Sequence, residues 1–227
     1  LSIATLSNMK MSQLCEASGV SVPSIKFYLR EGLLPAGERT SATQAEYGPE
    51  HVERLRLIRA LIDIGGLSVA TAQRVLEAID SPDLPLSYVF GVAQYAISDT
   101  SLYADVPEGS AGTTQVNDLI ESTGWLVSDE NPGRRGAARV LDTYADLGQS
   151  HIGEHLPAYA EAAELIARAD LAAVAHHADV ADMAETLVVG TVLGDALNAS
   201  LRRMAQEHVS YQVFPAPRGA EPSGSER

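Results

Sequence analysis

The first eighty residues carry apolar side chains at helical spacing, and glycine or proline cuts each run before it grows long. That punctuation is the strongest constraint on the chain. A helix of two or three turns is marginal alone in water, so such helices must pack on one another. The first is expected from Ser12, which can cap it, with Leu14 and Ala17 on one face and Gly19 at its end. The second follows at once: Ser21 is a cap, Pro23 fits a first turn, and Gly32 stops it. Its Val22, Ile25 and Leu29 share a stripe. Residues 33–47 hold Pro, Gly, Thr and Ser without a helical period, so a loop or small hairpin is expected. Gly48-Pro49-Glu50 opens a third helix with Val52, Leu55, Ile58, Leu61 and Ile62 inward, ended by Gly65-Gly66. Ser68 caps a fourth with Val69, Ala72, Val75, Leu76 and Ile79 inward. Ser81-Pro82-Asp83-Leu84-Pro85 then breaks the pattern.

The break coincides with a change in charge. Residues 1–80 hold 8 basic and 9 acidic side chains; residues 81–227 hold 8 and 21, so the second part carries nearly all of the net −14. Four domains are therefore assigned: 1–10 as disordered or an expression remnant, 11–80 as a first folded unit, 81–214 as a second, and 215–227 as a disordered tail. Beyond residue 85 the chain reads as helices over 86–98, 114–124, 133–148, 155–168, 170–177 and 179–209, with a loop over 99–113. The last keeps a stripe through Val180, Met183, Leu187, Val192, Leu193, Leu197, Leu201 and Met204. Gly190 and Gly194 lie four apart within it, where each glycine costs about 1 kcal/mol against alanine. They suggest a close helix–helix seam, inside the second domain or between two subunits. The fold class is mainly α. A lone cysteine leaves no disulfide framework or thiolate metal site. No apolar run is long enough to span a membrane, so no membrane partner and a cytoplasmic location are expected.

Two short helices joined at Gly19-Val20-Ser21 form a helix-turn-helix candidate, whose second helix would enter a major groove. With Val22, Ile25 and Leu29 inward, Pro23, Ser24, Phe27 and Arg30 project outward, and Lys26 and Tyr28 flank the stripe where phosphate strands would pass. Alternatively, this is an ordinary two-helix corner. The longer string MSQLCEASGVSVPSIKFYLREGLLPAGERTSATQAEY, followed by HVERLRLIRALIDIGGLSVATAQRVLEAI, resembles the MerR family of transcription regulators from about Met11 to Asp80. Its carriers are Gly19-Val20-Ser21-Val22, Phe27-Tyr28, Gly32-Leu33-Leu34-Pro35, Tyr47, and Arg54-Leu55 with Ile58.

The resemblance implies a winged helix-turn-helix DNA-binding domain followed by an all-helical C-terminal domain for effector binding and dimerisation. It implies DNA contacts from Ser24, Lys26, Phe27, Tyr28 and Arg30 on the helix. Arg39, Thr40, Thr43 and Gln44 would serve the wing, and Arg54 would reach phosphate. It also implies a homodimer on a promoter palindrome, with RNA polymerase alongside and a small-molecule effector. Three departures stand out. Pro23 replaces a residue that is often basic. Gln44-Ala45 replaces the usual Tyr-Arg of the wing. The helix after Pro85 is short where the family has a long dimerising coiled-coil helix.

In the second domain Trp125, Tyr144 and Tyr159 are the candidate effector contacts. Core packing is the plainer role for a tryptophan. Cys15 reads as a small buried hydrophobe, and no cofactor or metal is expected. His151-Ile152-Gly153-Glu154-His155 fits a zinc-peptidase string, but Gly153 and Pro157 weaken the helix that chemistry needs. The expectation is a non-enzymatic regulator. The alternatives are a ligand-independent repressor or architectural DNA binder, and a helical metal-dependent hydrolase.

Overall fold

A computed structural model describes residues 9–41, 44–98, 107 and 109–214. The fold is mainly α, with one two-stranded antiparallel sheet among the described residues. Helices α1 (Met11–Ser18) and α2 (Val22–Arg30) form the corner. Strands β1 (Glu38–Arg39) and β2 (Ala45–Glu46) pair Glu38 with Glu46 and Arg39 with Ala45, making the small hairpin. α3 (Pro49–Arg59) runs into a π-helical turn at Ala60–Ile64, and α4 (Val69–Ile79) follows. The remainder is α5 (Leu86–Ile97), α6 (Ala111–Thr123), α7 (Pro132–Asp146), a 3₁₀ turn (Ser150–His155), α8 (Leu156–Val174) and α9 (Val180–Val213).

The punctuation residues act as their chemistry dictates. Ser21 Oγ accepts from the Ser24 N–H at 3.3 Å, and Ser68 Oγ accepts from the Thr71 N–H at 3.1 Å. Gly19 ends α1 in the left-handed region at φ 68°, donating its N–H to the Cys15 carbonyl. α1 starts one residue before Ser12. Lys10 is its N-cap, and the Gln13 side chain accepts the Lys10 N–H at 2.9 Å. Residues 9 and 10, set aside with the loose start, thus belong to the fold: Met9 is buried and bridges Tyr47 through two backbone hydrogen bonds. The expected helices 155–168 and 170–177 are one helix, because neither glycine nor proline stands between them. Residues 1–8, 215–227 and most of the expected 99–113 loop lie outside the described residues.

The core disregards the charge boundary near Asp80. Leu14, Ile25, Leu33, Leu55, Ile58 and Leu61 expose no side chain, and Val89 and Ala93 of α5 join them in one cluster. Ala184, Leu187, Val188 and Val192 of α9 complete that same cluster. α9 crosses the π-helical turn, where Gly65 lacks the methyl group that would collide with Val192. A second, small cluster holds Val116, Ala138 and Leu141 between α6 and α7. Gly112 N–H donates to Asp142 there at 2.7 Å, an approach that leaves no room for a β-carbon against the Ala138 carbonyl.

Candidate nucleic-acid interface

Ser21 starts α2, Ile25 anchors it in the core, and Leu33 and Leu34 close it by donating their N–H groups to the Tyr28 carbonyl. One face of the helix therefore lies outward beside the hairpin. Between the starts of α1 and α2 and the hairpin lies a cleft of about 460 Å³. Lys10, Lys26 and Arg39 reach it, with Thr40 and Gln44 on the hairpin side and Glu46 as its carboxylate. Among the described residues none of these three cations is held in an ion pair. Thr40 Oγ1 donates to the Gln44 carbonyl at 3.4 Å and its N–H to the same carbonyl at 3.0 Å, stiffening the hairpin turn. Thr43 lies outside the described residues.

The other candidates divide. Arg30 is exposed, donates to Glu31 at 3.1 Å and lies 5.2 Å over the Phe27 ring. Both contacts are solvent-facing and weak enough to exchange for a base or a phosphate. Phe27 and Tyr28 meet edge to face at 5.8 Å and are half-buried. Tyr28 leans on the core. Burial first, and then the Asp63 carboxylate, push its phenol above the ordinary range, with Arg59 opposing. The Ser24 hydroxyl is 2.8 Å from Ser21 Oγ, so the cap occupies it in this conformation.

Arg54 corrects the sequence reading. Its side chain is only 13 % exposed, and its guanidinium faces inward. Nε donates to the Leu33 carbonyl at 3.0 Å, and Nη1 and Nη2 grip the two Asp80 oxygens at 2.8 and 2.5 Å. This bidentate fork ties the root of the hairpin to the end of α4, so the Arg54 guanidinium is engaged within the chain. Lys10, by contrast, was missed. A lysine just before a helix start, beside the recognition helix, was the available signal.

The three effector candidates do not converge. Trp125 Nε1 donates to Glu164 at 3.0 Å, Tyr144 packs on the α6–α7 cluster, and Tyr159 is exposed under Arg202. The Trp125 and Arg168 hydrogen bonds hold the Glu164 carboxyl below its ordinary range. A further cleft, of about 640 Å³, lies between α4 and α5. Val75, Ala78, Val92 and Ala96 floor it, Tyr88 and Tyr95 stand at its side, and Arg74 and Glu77 supply charge. His151 and His155 sit in the 3₁₀ turn, whose three-residue period turns them away from a common face. Among the described residues no group of three His, Cys, Asp or Glu could hold a metal, and no helix is long and apolar enough to cross a membrane.

Known proteins show the same pattern. The family described as MerR HTH family regulatory protein matches residues 9–79. The chain is 40% identical over 50 residues to the HTH-type transcriptional regulator ZntR homolog of Haemophilus influenzae, covering 22% of this chain and 37% of that protein. It is 36% identical over 72 residues to the nodulation protein NolA of Bradyrhizobium elkanii, 32% of each chain. It is 33% identical over 60 residues to the mercuric resistance operon regulatory protein of Serratia marcescens, 26% of this chain and 42% of that one. The chain thus spans well under half the length of these relatives. A solved structure matches almost throughout: SCO5550 of Streptomyces coelicolor A3(2), a candidate transcriptional regulator. It is 32% identical, with a TM-score of 0.69, covering 92% of this chain and 99% of that one.

Proposed function

We propose that this chain, whose residues 9–79 match the MerR HTH family, is a homodimeric, signal-responsive transcription regulator that binds a promoter palindrome. α2 enters the major groove, and the hairpin lies along the adjoining phosphates. The observation that carries this reading is the cleft between α2 and the hairpin, whose Lys10, Lys26 and Arg39 have no ion-pair partner among the described residues, in a chain of net charge −14. Screening over about 8 Å lets this local cationic site act despite the acidic remainder. Two readers on one duplex would bend or untwist the promoter beside RNA polymerase, so base steps that neither touches contribute through their deformability. The setting is the cytoplasm.

The effector's place in this reading is the α4–α5 cleft, and Trp125, Tyr144 and Tyr159 are not its walls. Its size suits a small molecule. α4 ends at Asp80, which holds Arg54, which holds the Leu33 carbonyl at the wing's root. A ligand that reseats α4 therefore acts on the wing through two charge-assisted contacts, to the extent that it binds one arrangement better than the other.

Mobility shifts on the chain's own promoter against scrambled duplex test the reading. Preference for the promoter is expected. Lys26→Ala should weaken binding to both duplexes and flatten the salt slope by about one. Equal affinity for the two duplexes at low salt would overturn the proposal. A small-molecule thermal-shift panel tests the signal: a hit that raises Tm and is lost in Val92→Trp supports the cleft.

A further inference from the structure

One wall of the α4–α5 cleft has a gap in it. Tyr88, Gly91, Val92 and Tyr95 stand at i, i+3, i+4 and i+7, on the face of α5 that lines the cleft. Val89 and Ala93 lie on another face and enter the core. The cleft face thus carries two tyrosines, each 55% exposed, and bare backbone between them at Gly91. Glycine weakens a helix interior. Gly65 and Gly112 make room for Val192 and for the Ala138 carbonyl, but a β-carbon at Gly91 would find nothing within 4 Å among the described residues.

Along the helix axis Gly91 lies about 4.5 Å from the level of Tyr88 and about 6 Å from that of Tyr95. Aromatic pairs prefer ring centres about 4.5–7 Å apart. A flat ring resting on Gly91 therefore has a tyrosine at a favourable distance on either side. Tyr95 is braced for such a contact, because its hydroxyl donates to the Glu130 carbonyl, 35 residues on. Val75, Ala78 and Val92 keep the floor apolar.

Charge at the rim selects the substituent on the ring. Arg74 is exposed and holds no ion pair among the described residues. Glu77, the other charged side chain of the cleft, is drawn aside: its Oε1 accepts from Gln73 Nε2 at 3.0 Å, and Gln73 does not line the cleft. Salt screens the acidic remainder of the chain over about 8 Å, so the guanidinium dominates the near field. Its planar fork suits a carboxylate or a similar anionic group.

We propose that the α4–α5 cleft binds a flat aromatic acid, with its ring on Gly91 between Tyr88 and Tyr95 and its anionic group on Arg74. This rests on the reading of the cleft as the effector's place, and it names the class of molecule. The cleft's volume of about 640 Å³ suits a drug-sized ligand of that kind.

Fluorescence titration of the full chain tests this with two probes: anilinonaphthalene sulfonate, an aromatic acid, and phenylnaphthylamine, the same skeleton without the sulfonate. Both should show a saturable site, and the acid should bind more tightly. Arg74→Gln should weaken the acid about tenfold, the worth of one charge-assisted hydrogen bond, and leave the amine unchanged. Gly91→Leu should remove the site for both probes, with Tm at or above that of wild type because leucine is the better helix former. A site that survives Gly91→Leu, or an Arg74→Gln variant that holds the acid as well as wild type or loses both probes equally, would overturn the proposal. So would probe binding that falls as chain concentration rises, the mark of a second copy seated in the cleft. Mobility shifts on the chain's own promoter separate the two readings: promoter preference retained while the titrations fail removes this ligand class and leaves the DNA reading standing.

Discussion

Ile58 and Leu201 are isomeric side chains on helical stripes of similar strength, yet Ile58 is wholly buried and Leu201 is 53% exposed. The reader's short helices each find a partner within the chain. α8 and the outer half of α9 touch one another, Arg202 lying over Tyr159, yet leave Leu165, Leu171, Leu201 and Met204 exposed. Periodicity reports that a face is apolar, and it does not report what covers that face. The same pattern therefore means an internal core in one region and an open surface in the other.

The largest test of this contrast is a pair of truncations. Ile58→Ala should cost about 2–5 kcal/mol in denaturant unfolding, the range for a large-to-small change in a filled core. Leu201→Ala should change the dissociated chain by no more than about 0.5 kcal/mol. A concentration-independent loss as large as that of Ile58→Ala would erase the distinction.

Next in size is the Arg54 fork. Arg54→Ala removes a nearly buried guanidinium and frees the Leu33 carbonyl, and should cost about 1–3 kcal/mol. Its effect on DNA should enter through stability alone, with the salt slope unchanged. A slope flattened by about one, as expected for Lys26→Ala, would restore Arg54 as a phosphate contact.

These two tests also mark what was legible in the sequence. Gly19, Ser21, Gly32 and Ser68 placed the reader's helix ends well, because caps and left-handed turns are local chemistry. The family string named Lys26 and Arg39, and the fold brings both to one cleft. The inward fork of Arg54 was not legible because its partners, Leu33 and Asp80, are 21 and 26 residues away in sequence. The π-helical turn at Ala60–Ile64 was illegible for a similar reason: it lies where α9, more than a hundred residues later, crosses. The charge step near Asp80 marked a real change in surface, but a core is built of uncharged atoms and runs straight across it.

The smallest effect concerns the contact of α8 with α9. Burial first, and then the Asp170 carboxylate, hold the Asp195 carboxyl above its ordinary range. A carboxyl raised in the folded state weakens folding as the pH climbs from its unfolded value through its folded one. Asp170→Asn removes the like charge. It should stabilise the chain at neutral pH by less than about 0.5 kcal/mol, screening included, and the gain should fade as falling pH protonates the Asp195 carboxyl. Thermal unfolding across that range checks the sign. A destabilised variant at neutral pH would mean that Asp170 holds the two helices together.

α9 is one unbroken rod of 34 residues, about 51 Å long. Rooted at one end against the floor of the reader and free at the other, it is a lever arm. Beyond Val192 the arm is about 32 Å long, so a rotation of about 5° at the root swings the tip by about 3 Å. The angle at which Val188 and Val192 let the rod leave the hydrophobic floor thereby sets where its exposed tip stands.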